Sequence, residues 1–382
     1  MEYENASAAF KVPEQRRQYV ARTQAFFESI QLIPPQTMFS LLEQYEYKGQ
    51  IEARKAITLL AYRHVRRLKR MYLEGIPRDL LPPKANYLMI GPTGCGKTFL
   101  VELLFRNILK LPTAVIDVTQ LSETGYVGKD TCTILTTLLE HAGHDPIAAS
   151  AGIICLDEFD KLATTQNQAR FDGQGTTKDV SGYGVQRELL RIIEGSEIMV
   201  PMDYNNTRYS DFIPLHTGDI TFIACGTFSG LKGVASANQP HIGFNTPELP
   251  QTAQTIAVNY AEDDVNNIEH LQRYGFIPEL IGRFTRILPL HALDRETLNA
   301  ILLDSVVKKF EREFKEEGIA LHIETDVLNA IVEQSFKRQT GARGLASILT
   351  KHLEDVAFQA FCSIVKTVTL RMNGKEIAAE LE

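Results

Sequence analysis

The sequence contains a glycine-rich turn of eight residues that ends in a lysine and a threonine. The turn consists of Gly91, Pro92, Thr93, Gly94, Cys95, Gly96, Lys97 and Thr98. It follows an apolar run, NYLMI, that predicts a buried strand, and it precedes FLVELLFRNIL, which predicts an amphipathic helix. Glycines let backbone N–H groups surround phosphates, and a helix N-terminus favours anions. Lys97 would neutralise the outer phosphate oxygens and Thr98 would bind Mg²⁺, so the turn predicts a nucleotide site.

Two adjacent carboxylates follow a second apolar run, GIICLDEFDK. Asp157, at the end of the predicted strand, suits Mg²⁺ coordination through water, and Glu158 can polarise an attacking water. Taken alone, an acidic pair after a strand also fits an ordinary helix N-terminus. Together with the phosphate-binding turn, the pair favours hydrolysis of a bound nucleotide, with Asp157 as a metal ligand and Glu158 as the catalytic base.

Apolar runs alternate with helical patterns through most of the chain. AVIDV, GIICL and ITFIACGTF predict further strands, and strands that alternate with helices indicate an α/β fold with a parallel sheet. After Pro289, amphipathic helices and a short strand at KTVTLRM predict a smaller, mostly helical domain. We therefore expect a helical or loosely ordered N-terminal extension (1–40), a large α/β domain (41–288) and a helical C-terminal domain (289–382).

Composition and charge disfavour several classes of protein. Of the 382 residues, 44% are hydrophobic and 23% are charged, which is normal for a globular protein. The net charge of −7 argues against a general nucleic-acid-binding surface. The five scattered cysteines form no CxxC pair, which disfavours a zinc module or a disulfide framework. The chain shows no apolar run of membrane-spanning length and no signal peptide, so we expect a cytoplasmic protein without a membrane partner.

Several longer motifs resemble those of the AAA+ ATPases and, within them, of the ClpX/HslU unfoldases, over residues 41–362. IGPTGCGKT and CLDEFDK are similar to the Walker A and Walker B motifs, and TGYVGKD is similar to the aromatic pore loop. DVSGYGVQRELLRIIEG resembles the helix after Walker B. YGFIPELIGRF resembles the arginine-finger segment, and TGARGLASIL resembles the sensor-2 segment. Because these motifs occur in the family order, the resemblance is more specific than a phosphate loop alone.

The resemblance implies a large AAA+ α/β ATPase domain that binds ATP and Mg²⁺ and assembles into a homo-hexamer around a pore. Tyr126 and Val127 would line that pore and grip a protein substrate, since an aromatic and a branched aliphatic side chain contact any sequence. Arg283 would be a catalytic arginine finger at the γ-phosphate of a neighbouring subunit. Arg343 would be sensor 2, a catalytic and nucleotide-binding cation within its own subunit. The alternative for Tyr126 is an incidental position in a hairpin turn. For Arg283 and Arg343 the alternative is an ordinary surface ion pair.

Two polar, glycine-rich segments carry further contacts that the resemblance implies. Ile242, Gly243 and Phe244 stand where ClpX-type motors have the tripeptide that docks into the ClpP peptidase ring. A ClpP-type peptidase is therefore an expected partner, and local packing of the tripeptide is the alternative. Residues 176–184 resemble the second pore loop, with Lys178 at the position of a basic residue, and a plain disordered loop is the alternative.

The sequence departs from the family pattern in three places. It has no N-terminal Cys₄ zinc module, so we expect different adaptors and substrates. EYKGQ replaces the family's YVIGQ beside the adenine, and Tyr47 is expected to bind the nucleotide by stacking on the base. FIACGTF offers Cys225 and Thr227 instead of a clear sensor-1 asparagine, and either residue could sense the γ-phosphate. The large inserted domain of HslU is also missing, which favours the ClpX side of the family.

The leading interpretation is an ATP-driven protein unfoldase and translocase that feeds a ClpP-type peptidase. The first alternative is a stand-alone remodeller of one protein complex, which would not need Phe244. The second is a nucleic-acid motor, supported by Lys178 and by a basic cluster at residues 63–70, although a solvated helix end is the preferred explanation of that cluster. The third is a regulatory subunit that binds ATP without hydrolysing it, which the intact catalytic residues disfavour.

Overall fold

The computed structural model describes residues 13–121, 132–163, 182–201, 212–231, 268–361, 364–374 and 376–382. Its central sheet is built from β1 (Tyr87–Ile90), β2 (Thr113–Asp117), β3 (Ile153–Asp157), β6 (Thr221–Gly226) and β7 (Arg286–Pro289). Within the described ranges the strand order is β2-β3-β6-β1-β7, and every neighbouring pair is parallel. The shorter strands β4 (Glu197–Pro201) and β5 (Phe212–His216) form a separate antiparallel ribbon. The predicted α/β fold with a parallel sheet is confirmed.

Helices cover both faces of this sheet. They are α1 (Pro13–Ser29), α2 (Pro35–Gln44), α3 (Ile51–Tyr72), α4 (Lys97–Val101), α5 (Cys132–His141), α6 (Pro146–Ser150), α7 (Tyr183–Glu194), α8 (Ile268–Tyr274) and α9 (Pro278–Ile281). α4 continues through a wider π-helical segment, Glu102–Ile108. Because both faces are covered, the central strands are continuous apolar runs rather than alternating ones.

The alternation of side chains along β1 divides the apolar core into two parts. Leu88 and Ile90 pack into one cluster, whereas Tyr87 and Met89 pack into the cluster on the opposite face. Because the side-chain period of a strand is two, one short apolar run supplies both cores. Because β1, β3 and β6 run parallel, their carboxyl ends meet at one edge of the sheet, which is where an open α/β sheet binds its ligands.

The N-terminal helix α1 is packed against the large α/β part of the chain. Phe27 is fully buried, and its ring stacks on that of Tyr72 with 4.1 Å between the centroids. Lys69 Nζ donates to the backbone oxygen of Phe27 at 2.7 Å, close to the C-terminal end of α1. A cation at this end of a helix satisfies free carbonyls and opposes the helix dipole, so α1 is fixed both by packing and by charge.

The C-terminal part has its own apolar core and a small sheet. Its elements are α10 (Arg295–Ile301), a π-helical segment (Leu302–Val307), α11 (Lys308–Glu316), β8 (Ala320–Ile323), α12 (Thr325–Arg338), α13 (Gly341–Ala360), β9 (Thr367–Asn373) and β10 (Glu376–Leu381). β9 pairs with β8 in parallel and with β10 in antiparallel orientation. The mostly helical character of the C-terminal part is confirmed. Of its three described strands, only β9 was predicted from the sequence. In the described part of the chain, no helix is long and apolar enough to span a membrane.

Candidate nucleotide site

The phosphate loop connects β1 to α4, and two of its glycines have backbone angles that favour glycine. Gly94 and Gly96 have φ values of 74° and 94°, in the left-handed region that side chains other than glycine rarely adopt. A Cβ on Gly96 would also lie 3.1 Å from the hydroxyl oxygen of Tyr47. The turn therefore has the backbone geometry that lets N–H groups surround a phosphate.

The Lys97 ammonium lies buried inside this loop. Its Nζ donates to the backbone oxygens of Gly91 at 2.7 Å and of Pro92 at 2.9 Å. Only 8% of Lys97 is exposed, and within the described ranges no carboxylate forms an ion pair with it. A buried cation is normally paired, so this ammonium still has capacity for an anion. That capacity fits the phosphates of a nucleotide.

Thr98 and Asp157 face each other across the ends of α4 and β3. Thr98 Oγ1 donates to Asp157 Oδ2 at 2.8 Å, and the other carboxylate oxygen accepts from the backbone nitrogen of Glu158 at 2.9 Å. Among the described residues, no group of three or more His, Cys, Asp or Glu side chains is arranged to hold a metal. Mg²⁺ commonly binds through one or two protein oxygens together with phosphate oxygens, and the Thr98–Asp157 pair fits that mode.

Glu158 follows directly and has an unusual backbone conformation. Its φ is 55°, in the left-handed region that is uncommon for residues other than glycine, and its side chain is exposed. Backbone strain of this kind concentrates at functional sites, where the surrounding structure imposes it. Here the conformation falls directly after Asp157, the last residue of β3.

Tyr47 lies beneath the phosphate loop. Its hydroxyl donates to the backbone oxygen of Gly96 at 3.2 Å, and its ring stacks on Phe99 with 6.0 Å between centroids. Only 3% of Tyr47 is exposed, and this burial raises the pKa of the hydroxyl well above its usual value, which keeps it a neutral donor. The predicted stacking on adenine is untested, while the observed contacts support the loop from below.

The two candidates for sensor 1, Cys225 and Thr227, have different surroundings. Cys225 Sγ lies 3.8 Å from Cys155 Sγ between β6 and β3, and both thiols are fully buried. Thr227 donates to Asp160 twice, from its backbone nitrogen and from its hydroxyl, both at 3.0 Å. Asp160 was not among the predicted site residues, although it lies in the same DEFDK motif. Of the two candidates, only Thr227 has a polar side chain held beside the Walker B segment.

The sensor-2 segment of the C-terminal part touches the phosphate loop. The backbone nitrogen of Ala342 donates to the backbone oxygen of Gly94 at 3.1 Å. A Cβ on Gly94 would lie 2.3 Å from the backbone oxygen of Thr340, so the two backbones meet at van der Waals distance. Arg343 follows Ala342 directly and is exposed. The fold thus brings the predicted sensor-2 segment to the predicted nucleotide site.

Two further contacts join the C-terminal part to the segment around Tyr47. Gln50 donates through Nε2 to the backbone oxygen of His291 at 2.6 Å, and its Oε1 accepts from the backbone nitrogen of His291 at 3.1 Å. Lys48 forms an ion pair with Asp304 at 2.8 Å. Lys48 and Tyr47 are the positions at which this sequence departs from the family's aliphatic pair, and both have defined partners.

Arg283 is exposed, and its backbone contacts Asn86 at the start of β1, whereas the phosphate loop follows the opposite end of this strand. Its guanidinium pairs with the carboxylate of Glu194 at the end of α7. Part of the basic cluster on α3 is engaged in structural contacts: Arg67 pairs with Asp219 at 3.1 Å, and Lys69 donates to the end of α1. These contacts favour the interpretation of that cluster as part of the fold.

Several predicted site residues lie outside the residues that the structure describes. They are Tyr126 and Val127 of the predicted pore loop, Lys178 of the second loop, and the predicted docking residues Ile242, Gly243 and Phe244. Their roles stay predictions.

The parallel sheet, the phosphate loop at the end of β1 and the acidic pair at the end of β3 define a P-loop ATPase of the AAA+ class. Residues 82–287 match the family described as "AAA domain (Cdc48 subfamily)", and residues 293–364 match the "C-terminal, D2-small domain, of ClpB protein".

Similarity to curated proteins is more specific. The chain is 35% identical over 332 residues to the "ATP-dependent Clp protease ATP-binding subunit ClpX" of Treponema denticola, which covers 85% of this chain and 77% of that protein. It is 36% identical over 337 residues to the ClpX subunits of Borrelia duttonii and Borrelia recurrentis, covering 85% of this chain and 74% of each. The chain therefore belongs to the AAA+ family, as an ATPase chaperone of the ClpX type.

Proposed function

We propose that this protein is an ATP-driven unfoldase and translocase, which assembles as a homo-hexamer, threads polypeptides through its pore and delivers them to a ClpP-type peptidase. The ATPase part rests on the buried Lys97, which has no ion pair with any described residue, together with the Thr98–Asp157 hydrogen bond. The similarity to subunits named as ATP-binding partners of the Clp protease supports the coupling to protein substrates.

The residues of the site have separate roles in this proposal. Bound ATP and Mg²⁺ would supply the reactive phosphate and the positive charge that shields its oxygens. Lys97 would exchange its carbonyl partners for phosphate oxygens, while Thr98 and Asp157 would orient the metal and its water. Glu158 would accept the proton of the attacking water, a role that its exposed carboxylate beside Asp157 can perform.

Two arginines would connect hydrolysis to the assembly. The backbone of Arg283 contacts the start of β1, whereas the phosphate loop follows the opposite end of this strand, which supports action on the nucleotide of a neighbouring subunit. Arg343 follows the residue that is hydrogen-bonded to Gly94, so it would respond to the nucleotide of its own subunit. Loss of the γ-phosphate would then change the position of the C-terminal part relative to the sheet.

The protein-handling contacts follow from the sequence. Tyr126 and Val127 would grip the translocating chain, and Ile242, Gly243 and Phe244 would dock on the peptidase ring. The expected partners are therefore protein substrates and a peptidase, with no nucleic acid and no membrane.

Binding to a purified ClpP-type peptidase ring tests this function directly. The ring would be presented, with ATP, to Glu158→Gln protein that has Phe244 and to Glu158→Gln protein with Phe244→Ala. We expect binding only when Phe244 is present. Equal binding by both proteins would contradict the docking role, and binding by neither would favour a stand-alone remodeller of one protein complex.

A further inference from the structure

The segment that ends in Arg283 is held by two buried amide side chains from distant parts of the sequence. These are Asn86, directly before β1, and Gln186 on α7, of which 3% and 0% are exposed. Neither residue touches the phosphate loop in any described contact. Buried amides with complete hydrogen bonding fix the backbone that they contact, because losing a partner leaves polar groups unsatisfied.

Asn86 fixes the backbone of Arg283 itself. Its Nδ2 donates to the backbone oxygen of Arg283 at 3.1 Å, while its Oδ1 accepts from the backbone nitrogen of Phe222 at 3.0 Å. The backbone oxygen of Asn86 also accepts from the backbone nitrogen of Thr285 at 2.8 Å. The Asn86 side chain therefore joins Arg283 to β6, and the hydrogen bond of Thr285 joins the same segment to the start of β1.

Gln186 fixes the other end of the same segment. Its Nε2 donates to the backbone oxygens of Leu162 at 2.7 Å and of Gly275 at 3.1 Å. Its Oε1 accepts from the backbone nitrogen of Ile277 at 2.9 Å. One amide thus joins the residues after the Walker B motif to the residues before Arg283.

Aromatic packing supports the same connection. Phe159, the neighbour of Glu158 in sequence, stacks on Phe276 with centroids 5.2 Å apart and meets Phe284 edge-on at 5.4 Å. Phe284 in turn is the neighbour of Arg283. The residue after Arg283 is therefore packed against the Walker B segment of its own subunit.

The guanidinium of Arg283 has a much weaker hold. It pairs with Glu194, and roughly half of each side chain is exposed, at 48% and 43%. Surface ion pairs of this kind contribute little, because solvent screens them and both side chains lose freedom. Since the tip is held weakly, the direction of Arg283 depends mainly on its backbone.

We propose that Asn86 and Gln186 are positioning residues for the arginine finger: they hold the backbone of Arg283 so that its guanidinium is directed at the nucleotide of the neighbouring subunit. This inference rests on the proposed function, in which Arg283 acts on a neighbour. It assigns a role in hydrolysis at a site in another chain to Asn86, which lies outside the recognised motifs, and to Gln186 of the helix after Walker B.

Rings mixed from two inactive variants separate this role from a general structural one. The acceptor subunit has Arg283→Ala and keeps its own catalytic base, whereas the donor subunit has Glu158→Gln and keeps its finger. Neither variant should hydrolyse ATP alone, and the mixture should, at acceptor sites beside donor fingers. An inactive mixture would refute the trans-acting finger and with it the proposed arrangement of the ring.

Gln186→Met and Asn86→Leu are then introduced into the donor or into the acceptor. Both changes keep the approximate side-chain volume and remove the amide. We expect each to lower the ATPase rate of the mixed rings at least tenfold in the donor and less than twofold in the acceptor. Equal losses in both subunits, or no loss in the donor of an active mixture, would overturn the inference.

A matched control shows the effect of destabilisation alone. Leu189→Ala changes a fully buried residue on the same helix that offers no side-chain hydrogen bond to the finger segment. It should affect donor and acceptor alike. Thermal unfolding and the hexamer content of every variant, measured with ATP, identify proteins that fail to fold or assemble, and the Asn86 and Gln186 variants provide two independent measurements.

Discussion

At the scale of single residues, two lysines illustrate how the same contacts serve different purposes. Lys97 donates to the backbone oxygens of Gly91 and Pro92, and Lys84 donates to those of Thr217 and Ile220 at 2.9 and 3.2 Å. Burial lowers the pKa of Lys84 to about 7, and the nearby carboxylate of Asp219 partly opposes this effect. Lys97 has no such carboxylate among the described residues, which makes it the lysine suited to phosphate.

Substitution of these two lysines tests that difference. Lys97→Met should weaken ATP binding about 10- to 100-fold, because hydrogen bonds to charged groups contribute about 1.5–3 kcal/mol. Lys84→Met, the control, should lower the unfolding temperature and leave ATP affinity unchanged. Titration with a fluorescent ATP analogue measures both. Unchanged affinity in Lys97→Met protein would contradict the role of the loop.

His64 predicts a specific dependence of stability on pH. It is buried, it contacts the backbone oxygen of Ala151 at 2.9 Å and the hydroxyl of Thr221 at 3.0 Å, and Arg67, Asp219 and Lys84 lie nearby. Burial lowers the pKa of His64 to about 4. The unfolded chain, with a His pKa of about 6.5, therefore binds more protons between pH 4 and 6.5, and stability falls as pH decreases through this range.

The His64→Gln variant should lose less stability on acidification. Between pH 7 and pH 5 the histidine accounts for a loss of about 2 kcal/mol in the free energy of unfolding, which the variant lacks. Urea unfolding of both proteins at the two pH values gives this difference. An identical pH dependence would show that His64 is not held neutral in the folded protein.

At the scale of elements, the sequence was most informative where local rules decide the structure. The apolar run before Gly91 predicted β1, and the glycine pattern predicted the phosphate loop, because strand burial and loop conformation are local properties. β8 and β10 were not predicted. Both are edge strands of the small sheet, and β10 (EIAAEL), which contains two exposed glutamates, gains its structure by pairing with β9. The contacts of Tyr47 with Gly96 and Phe99 were not predicted for the same reason, since these partners are distant in sequence, and its stacking on the base stays a prediction.

Two glycines with similar backbones test the junction between the phosphate loop and the C-terminal part. Gly94 and Gly75 have φ values of 74° and 69°, but a Cβ on Gly94 would lie 2.3 Å from Thr340, whereas a Cβ on Gly75 would have nothing within 4 Å. Gly75→Ala should cost only the backbone strain, about 1–2 kcal/mol. Gly94→Ala should cost more and also lower ATPase activity. Equal effects on stability and activity would argue against the observed junction.

At the scale of the whole molecule, the proposed motor uses different residues for ATP hydrolysis and for binding the protein substrate. Lys97, Asp157 and Glu158 belong to the rigid edge of the sheet, whereas Tyr126 lies in the segment that follows β2. In the proposed function, the side chain of Tyr126 contacts the substrate and takes no part in hydrolysis.

Tyr126→Ala should therefore keep basal ATP hydrolysis within about twofold and abolish unfolding of a tagged, stably folded substrate. Loss of the aromatic ring removes apolar contact with the translocating chain without changing the phosphate site. ATPase rate and loss of substrate fluorescence, measured in the same sample, provide the comparison. Tyr126→Phe, the control, should retain both activities, and sustained unfolding by Tyr126→Ala protein would refute the gripping role.

The hydrogen bond between Gly94 and Ala342 joins one main chain to another. No side chain takes part in it, so exchange of Ala342 for most other amino acids leaves both of its atoms in place. Over evolutionary time the surfaces on either side can diverge in charge and size while this junction persists. Selection would act on it through changes that move the backbone, such as an insertion, a deletion, a proline at position 342 or a side chain in place of the hydrogen of Gly94.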